Sequence, residues 1–262
     1  MSRTPFFDVR MKGFRDRTEV ADALDLLDSR IAPLPAETIP IHDAAGRVLA
    51  NDLIADVAVP PFDRAAMDGY ALRGEETFGA GPYSPLEFTI AGESLPARPF
   101  AGKMVLGQAV RIMTGAPIPA GADAVLQAEA ANEHEGRLRV TEPVPPQRHV
   151  GHRGEDVAPG QTVLRAGRVL RPQDLGLLAS VGVAHVGVVR RPGVSIVVTG
   201  DELLPAGSKP EGFRIVDSNS IMLAALARRD GAAVLATRMV PDQRERLREA
   251  MINSPGEVLL IS

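Results

Sequence analysis

The 262-residue chain contains no cysteine. That absence excludes disulfides, thiolate nucleophiles and cysteine-held zinc or iron–sulfur sites, so any metal must be held by oxygen or histidine. Excess positive charge is missing as well. With 29 Lys and Arg against 33 Asp and Glu, the net charge is −4 and no basic block occurs, so nucleic acid is not expected as a primary partner. The longest weakly polar stretch, Leu175 to Val189, is broken by glycines and His185. It falls short of the roughly 20 apolar residues that a spanning helix needs, and no membrane partner is expected. Met1 to Arg10 has no long apolar core, so no secretory signal is read and a soluble, cytoplasmic protein is predicted.

Common catalytic signatures are absent too. There is no Gly-x-x-x-x-Gly-Lys-Ser/Thr loop, no Gly-x-Ser-x-Gly elbow, no His-Glu-x-x-His helix and no Gly-x-Gly-x-x-Gly after a strand. The motif-borne hydrolases and nucleotide enzymes are thereby disfavoured. His149 and His152 stand three apart without a third ligand nearby, which argues against zinc. What is present is ordinary globular composition, 24% charged and 45% apolar, over a length that suits two or three domains.

The texture changes along the chain. Val20, Ala23, Leu24, Leu27 and Ile31 recur at helical spacing, with Asp16 and Glu19 as a possible capping box and Pro33 as the stop. Thr38 to Ile41 reads as a short edge strand and Ala44 to Ala50 as a short helical stretch. From about Leu72 to Val144, short alternating runs separated by Gly and Pro predict a β-rich lobe, inserted into a domain made from the flanking segments, with short strands resuming through Val189. After Pro192 the pattern is strand, helix, strand, helix, strand. The strands are Val194–Val198, Ala232–Ala236 and Val258–Ile261; the helices carry Ile221 to Leu226 and Leu247 to Met251. Such alternation makes a parallel sheet with ligands bound beyond the strand carboxyl ends. The fold class predicted is thus multidomain α+β and α/β. A three-strand sheet without its next helix would leave apolar surface open, which predicts a fragment of a longer protein.

Candidate chemistry gathers in loops. Pro60-Pro61-Phe62-Asp63-Arg64-Ala65-Ala66-Met67-Asp68-Gly69-Tyr70 sets two carboxylates on a forced bend, where Asp63 could cap a short helix and Asp68 sit in an Asx turn. Thr114-Gly115-Ala116-Pro117 follows a strand-like run, so its amides could face an anion or simply turn a hairpin. Arg153-Gly154-Glu155-Asp156 offers a cation and two anions, or a surface turn with a weak ion pair. Thr199-Gly200-Asp201-Glu202 lies at a strand terminus, where carboxylates suit magnesium with substrate phosphate oxygens. Asp217 and Asp242 fall at strand-to-helix junctions and each has a complete explanation as an N-cap.

Taken together, Pro61 to Tyr70, Arg111 to Pro117, Arg153 to Asp156, Thr199 to Leu203 and Asp217-Ser218-Asn219 resemble molybdopterin molybdenumtransferases, the MoeA and gephyrin E-domain family. The likeness runs from about Thr18 to the last residue. It implies a segmented elongated domain (15–50 and 148–190), an inserted β-rich lobe (51–147) and a partial three-layer α/β pterin-binding domain (191–262). The implied reaction converts adenylated molybdopterin and molybdate to molybdenum cofactor and AMP with Mg2+, in a homodimer whose cleft combines lobes of both subunits. A molybdopterin adenylyltransferase is an implied partner. The family's catalytic residues would fall on Asp68, Thr114, Asp156, Glu202 and Asp242, with Asp68 and Glu202 as metal carboxylates. Pterin-nucleotide contacts would fall on Thr199, Gly200, Asp201, Asp217 and Ser218.

Two departures are visible. Arg64-Ala65 stands where the family commonly has Asn-Ser, and the Gly-Gly-x-Ser-x-Gly loop expected directly after Ile261-Ser262 is not in the sequence, nor is a C-terminal β domain. The competing expectations are a scaffold or dimerising protein without chemistry, and a pterin carrier without turnover.

Overall fold

A computed structural model describes residues 18–262. The chain forms two compact units, Thr38–Val188 and a second made of the segment up to Glu37 with Val189–Ser262. The architecture is mixed, α+β and α/β, with four α-helices among the described residues: α1 Val20–Asp28, α2 Pro172–Ser180, α3 Asn219–Arg229 and α4 Arg244–Ile252.

The Thr38–Val188 unit is dominated by a curled six-stranded sheet. Its spatial order is Ala124–Gln127, Gly69–Leu72, Gln108–Ile112, Leu86–Ser94, Arg137–Val140 and Asn132–His134. Neighbours are antiparallel except Leu86–Ser94 with Gln108–Ile112, which run parallel. Because strand side chains alternate faces, Leu72 joins Phe88, Leu126, Leu138 and Val140 in one core while Ala71 joins Ala65, Ile112, Ala116 and Val125 in another. The curl brings the far edge back: Glu133 accepts hydrogen bonds from Tyr70 Oη at 2.7 Å and Arg111 Nε at 2.9 Å. Arg111 Nη2 bonds the same carboxylate. Those bonds, Arg111's first and Tyr70's second, hold the Glu133 carboxyl down to about 2.

A separate cluster draws on Ala44 and Leu49 with Leu164, Leu170, Leu178, Val186 and Val188, residues that precede and follow the sheet strands in sequence. Leu53–Ile54 pairs with Thr162–Leu164 and Arg64–Ala65 with Val150–Gly151, both antiparallel. The edge strand expected at Thr38 to Ile41 is found at Ala36–Pro40. The helical stretch expected at Ala44 to Ala50 is not formed: Gly46 takes φ 73° in a turn, and Val48 and Leu49 bridge to Val169 and Val188. The short strands expected through Val189 are found at Val150–Gly151, Thr162–Leu164 and His185–Val189, with α2 an unexpected helix among them. Pro172 opens it, where the missing N–H costs nothing, and Asp174 Oδ2 accepts the Arg171 N–H at 2.9 Å. Arg171 and Arg168 guanidinia, both bonded to Asp174, hold that carboxyl well below the usual range.

In the other unit three parallel strands stand in the order Ala233–Val240, Gly193–Thr199, Val258–Ile261. The central strand is buried from Gly193 to Val198, as its unbroken apolar run predicts. Its Ile196, Val197 and Val198 each contribute about 1.5–3 kcal/mol by leaving water. α3 and α4 cover the sheet through Ala224 and Ala250, both buried. α1 starts after Glu19 without a side-chain cap, and its other proposed capping partner, Asp16, lies outside the described residues.

Candidate active site

The opening bend is fixed by backbone before any side chain acts. Ala65 N–H bonds to Ala116 O at 2.9 Å, Gly115 N–H to Ala65 O at 2.8 Å, and Ala66 N–H to His149 O at 2.9 Å. This brings the Thr114 turn beside Asp68. Asp68 Oδ1 then accepts both the Thr114 N–H and the Thr114 hydroxyl, each at 2.7 Å. The backbone bond first and the hydroxyl second hold the exposed Asp68 carboxyl below its ordinary range. Asp68 is therefore an ionised acceptor locked onto a hydroxyl from a distant turn rather than the local Asx turn considered from sequence.

Gly69 is required here by space. Its φ of 157° is nearly extended, but a Cβ would sit 1.9 Å from Leu126 O in the neighbouring strand. Asp63 does not cap a helix; its Oδ1 accepts the Arg153 N–H at 2.8 Å, tying the bend to the Arg153–Asp156 turn. Arg64 faces that turn, with Nη2 3.5 Å from Glu155 Oε1 and 3.6 Å from Asp156 Oδ2. The ion pair in this turn is thus made by Arg64, a cation supplied from outside the motif.

A second group forms at the carboxyl end of the parallel sheet. A cavity of about 240 Å³ is lined by Thr199, Glu202, Asp217, Ser218, Asn219 and Ser262 among others. Thr199 Oγ1 donates to Asp242 Oδ1 at 2.5 Å, and Asp242 N–H to Asp201 Oδ1 at 3.3 Å. Asp242 is not the cap of α4: the residue before that helix is Gln243, which makes no side-chain cap bond. Asp217 does fill the structural role expected of it, accepting Ser220 N–H at 3.0 Å and the Ser220 hydroxyl at the start of α3. It is buried, and it still borders the cavity. Gly200 lets the chain fold back over Glu202, whose carboxylate would lie 2.8 Å from a Cβ at that position.

The predicted site residues therefore fall into two sets. Asp68 and Thr114 touch, with Asp156 in the same unit beside Arg64; Thr199, Gly200, Asp201, Glu202, Asp217, Ser218 and Asp242 belong to the other unit. Sequence reasoning missed the cavity-lining Asn219 and Ser262, whose side chains meet at 2.7 Å, and the Tyr70–Arg111–Glu133 brace. The signals available for them were the motifs that contain Asn219, Tyr70 and Arg111 and the strand-end position of Ser262. Among the described residues no cluster of three or more His, Cys, Asp or Glu is assembled for a metal ion. Magnesium does not require one, since it binds through one or two carboxylates plus substrate phosphates, and the oxygen donors at Thr199–Glu202 fit it. Among the described residues no helix is long and apolar enough to cross a membrane.

Comparison with known proteins follows the same division. Residues 18–182 match the family model described as the MoeA N-terminal region (domain I and II), and residues 195–262 match a probable molybdopterin binding domain. A Mycobacterium tuberculosis protein named molybdopterin molybdenumtransferase 2 is 42% identical over 208 residues, covering 78% of this chain and 51% of the relative. A molybdopterin molybdenumtransferase of Haemophilus influenzae is 34% identical over 237 residues, covering 90% and 57%. The crystal structure of a molybdopterin biosynthesis moeA protein from Pyrococcus horikoshii matches with a TM-score of 0.85 at 38% identity, covering 92% of this chain and 65% of that one. The chain thus spans about half the length of the curated relatives it matches.

Proposed function

The chain belongs to the MoeA family of molybdopterin molybdenumtransferases, and from that premise we propose that it inserts molybdate into adenylated molybdopterin, releasing AMP, in molybdenum cofactor biosynthesis. The observation that carries this reading is the cavity at the strand ends, where Thr199, Glu202, Asp217, Ser218 and Ser262 surround a space of about 240 Å³.

In this reading Thr199, Gly200, Asp201, Asp217 and Ser218 contact the pterin nucleotide. Asp242 orients the Thr199 hydroxyl by accepting its proton-bearing bond, leaving the hydroxyl lone pairs for a ligand donor. Asp217 cannot swing freely, because Ser220 occupies both its oxygens, so it offers a preorganised acceptor. The residues proposed to act in catalysis are Asp68, Thr114 and Asp156 in the one unit and Glu202 and Asp242 in the other, with Asp68 and Glu202 each proposed as a magnesium carboxylate. When bound, the ion offsets charge on phosphate oxygens. Thr114 keeps Asp68 ionised and aimed. Molybdate supplies the attacking oxygen as substrate. Sulfur ligands for molybdenum come from the pterin dithiolene, in keeping with a chain that has no cysteine.

The same proposal comprises a homodimer, a molybdopterin adenylyltransferase as donor of the substrate, a cytoplasmic location, and the partition into 15–50 with 148–190, 51–147 and 191–262. Incubation of the chain with adenylated molybdopterin, magnesium and molybdate tests it. AMP should appear only with molybdate present and should fall sharply in Asp68→Asn; AMP release indifferent to both, or none at all, rejects it.

A further inference from the structure

Arg64 is a cation whose hydrogen-bonding capacity is unused. Its guanidinium lies 3.5 Å from Glu155 and 3.6 Å from Asp156, and among the described residues it forms an ion pair with each but no side-chain hydrogen bond. The pair is half exposed, a setting where charge attraction is weak. The two carboxylates differ in freedom. Glu155 is fastened, its Oε2 accepting the His152 N–H at 2.9 Å and its Oε1 lying where a Cβ on Gly151 would come within 2.7 Å. Asp156 is 60% exposed and its carboxylate accepts no hydrogen bond among the described residues.

The backbone beneath Arg64 is rigid, flanked by Gly151 on one side and Pro117 on the other. The next residue, Ala65, accepts the Gly115 N–H at 2.8 Å, so the backbone adjoining Arg64 is tied to the turn that carries Thr114, whose hydroxyl Asp68 accepts. A fork of N–H donors without a hydrogen-bond partner among the described residues, with one of its two countering carboxylates free to move, suits a tetrahedral oxyanion. We propose that Arg64 binds such an oxyanion, phosphate or molybdate, and that Asp156 occupies the guanidinium until the anion displaces it. This names an anion subsite within the function proposed above and rests on that reading only for the identity of the physiological anion.

The test is equilibrium binding of molybdate alone and, separately, of AMP alone to wild type, Arg64→Ala, Arg64→Lys and Asp156→Asn, with a thermal melt of each variant. Whichever anion binds identifies the source. Arg64→Ala should weaken it about tenfold, the loss of a bidentate charged contact, and Arg64→Lys should fall between. Asp156→Asn should bind more tightly than wild type, because the internal competitor is gone. Should Arg64→Ala not fold, the opposite shifts of Arg64→Lys and Asp156→Asn decide alone. The inference fails if wild type binds neither anion at millimolar concentration, if Arg64→Ala or Arg64→Lys binds as wild type does, or if Asp156→Asn weakens binding. Arg64-dependent anion binding without AMP release would retain this subsite and remove the transferase reading; AMP release with Arg64-independent binding would do the reverse.

Discussion

Asp68 and Thr114, 46 residues apart, meet through two hydrogen bonds of 2.7 Å on one carboxylate oxygen. The hydroxyl bond can be removed without the backbone bond. In Thr114→Val the Asp68 carboxyl should titrate higher than in wild type while staying below its ordinary value, because the larger, backbone contribution survives. Carboxyl-carbon NMR titration reads this, and an unshifted Asp68 would contradict the assigned geometry.

Glu133 links the second and third strands of the curled sheet to its far edge. Glu133→Gln should destabilise the chain by about 1–3 kcal/mol at pH 7, the worth of hydrogen bonds to a charged group. The folded carboxyl sits at about 2 against an ordinary 4.5, so its contribution is complete above about 4.5 and is lost as pH falls through about 2. Urea melts of wild type and variant should therefore differ at pH 7 and converge toward pH 2. A constant difference would refute the charged brace.

Gly69 has no room for a methyl group, with Leu126 O 1.9 Å from where it would lie. Gly69→Ala should cost about 3 kcal/mol by overpacking and strand displacement. A melting temperature equal to wild type would contradict the close approach.

Asp242 bonds Thr199 and leaves α4 uncapped. Asp242→Ala should change stability by less than about 0.5 kcal/mol, where loss of a true N-cap costs about 1 kcal/mol. Helix content by circular dichroism should be unchanged, yet adenylated molybdopterin should bind more weakly. Lost helicity with unchanged binding would restore the capping role.

Much of the pterin-side fold was legible because its periodicity is local. The run Val194 to Val198 is typical of a strand covered on both faces, and Val258 to Ile261 falls within the same parallel sheet. The misread elements are those decided by tertiary partners. Ala44 to Ala50 looks helical in composition, but Val48 and Leu49 bridge to residues more than a hundred positions away. α2 was hidden because Gly176 interrupts its apolar pattern, although Pro172 and Asp174 were a readable start signal.

The site divides in the same way. Local spacing gave Asp217 its capping role correctly, and gave Asp242 and Asp63 the same role wrongly, since each carboxylate is claimed by a distant donor. Thr114 and Asp68 could be associated only through the ordered set of motifs. Arg64 was visible as a departure from the family pattern, but its partners, Glu155 and Asp156, emerge only from strand pairing with Val150–Gly151.

Under the proposed function, the strand-end cavity receives the adenylated pterin. Isothermal titration of adenylated molybdopterin into the chain, beside Thr199→Val and Glu202→Gln, measures it most directly. Saturable one-to-one binding, weakened about tenfold by removing a hydroxyl or charge from the cavity wall, is the expected result. No heat of binding, or equal affinity in all three proteins, would contradict it.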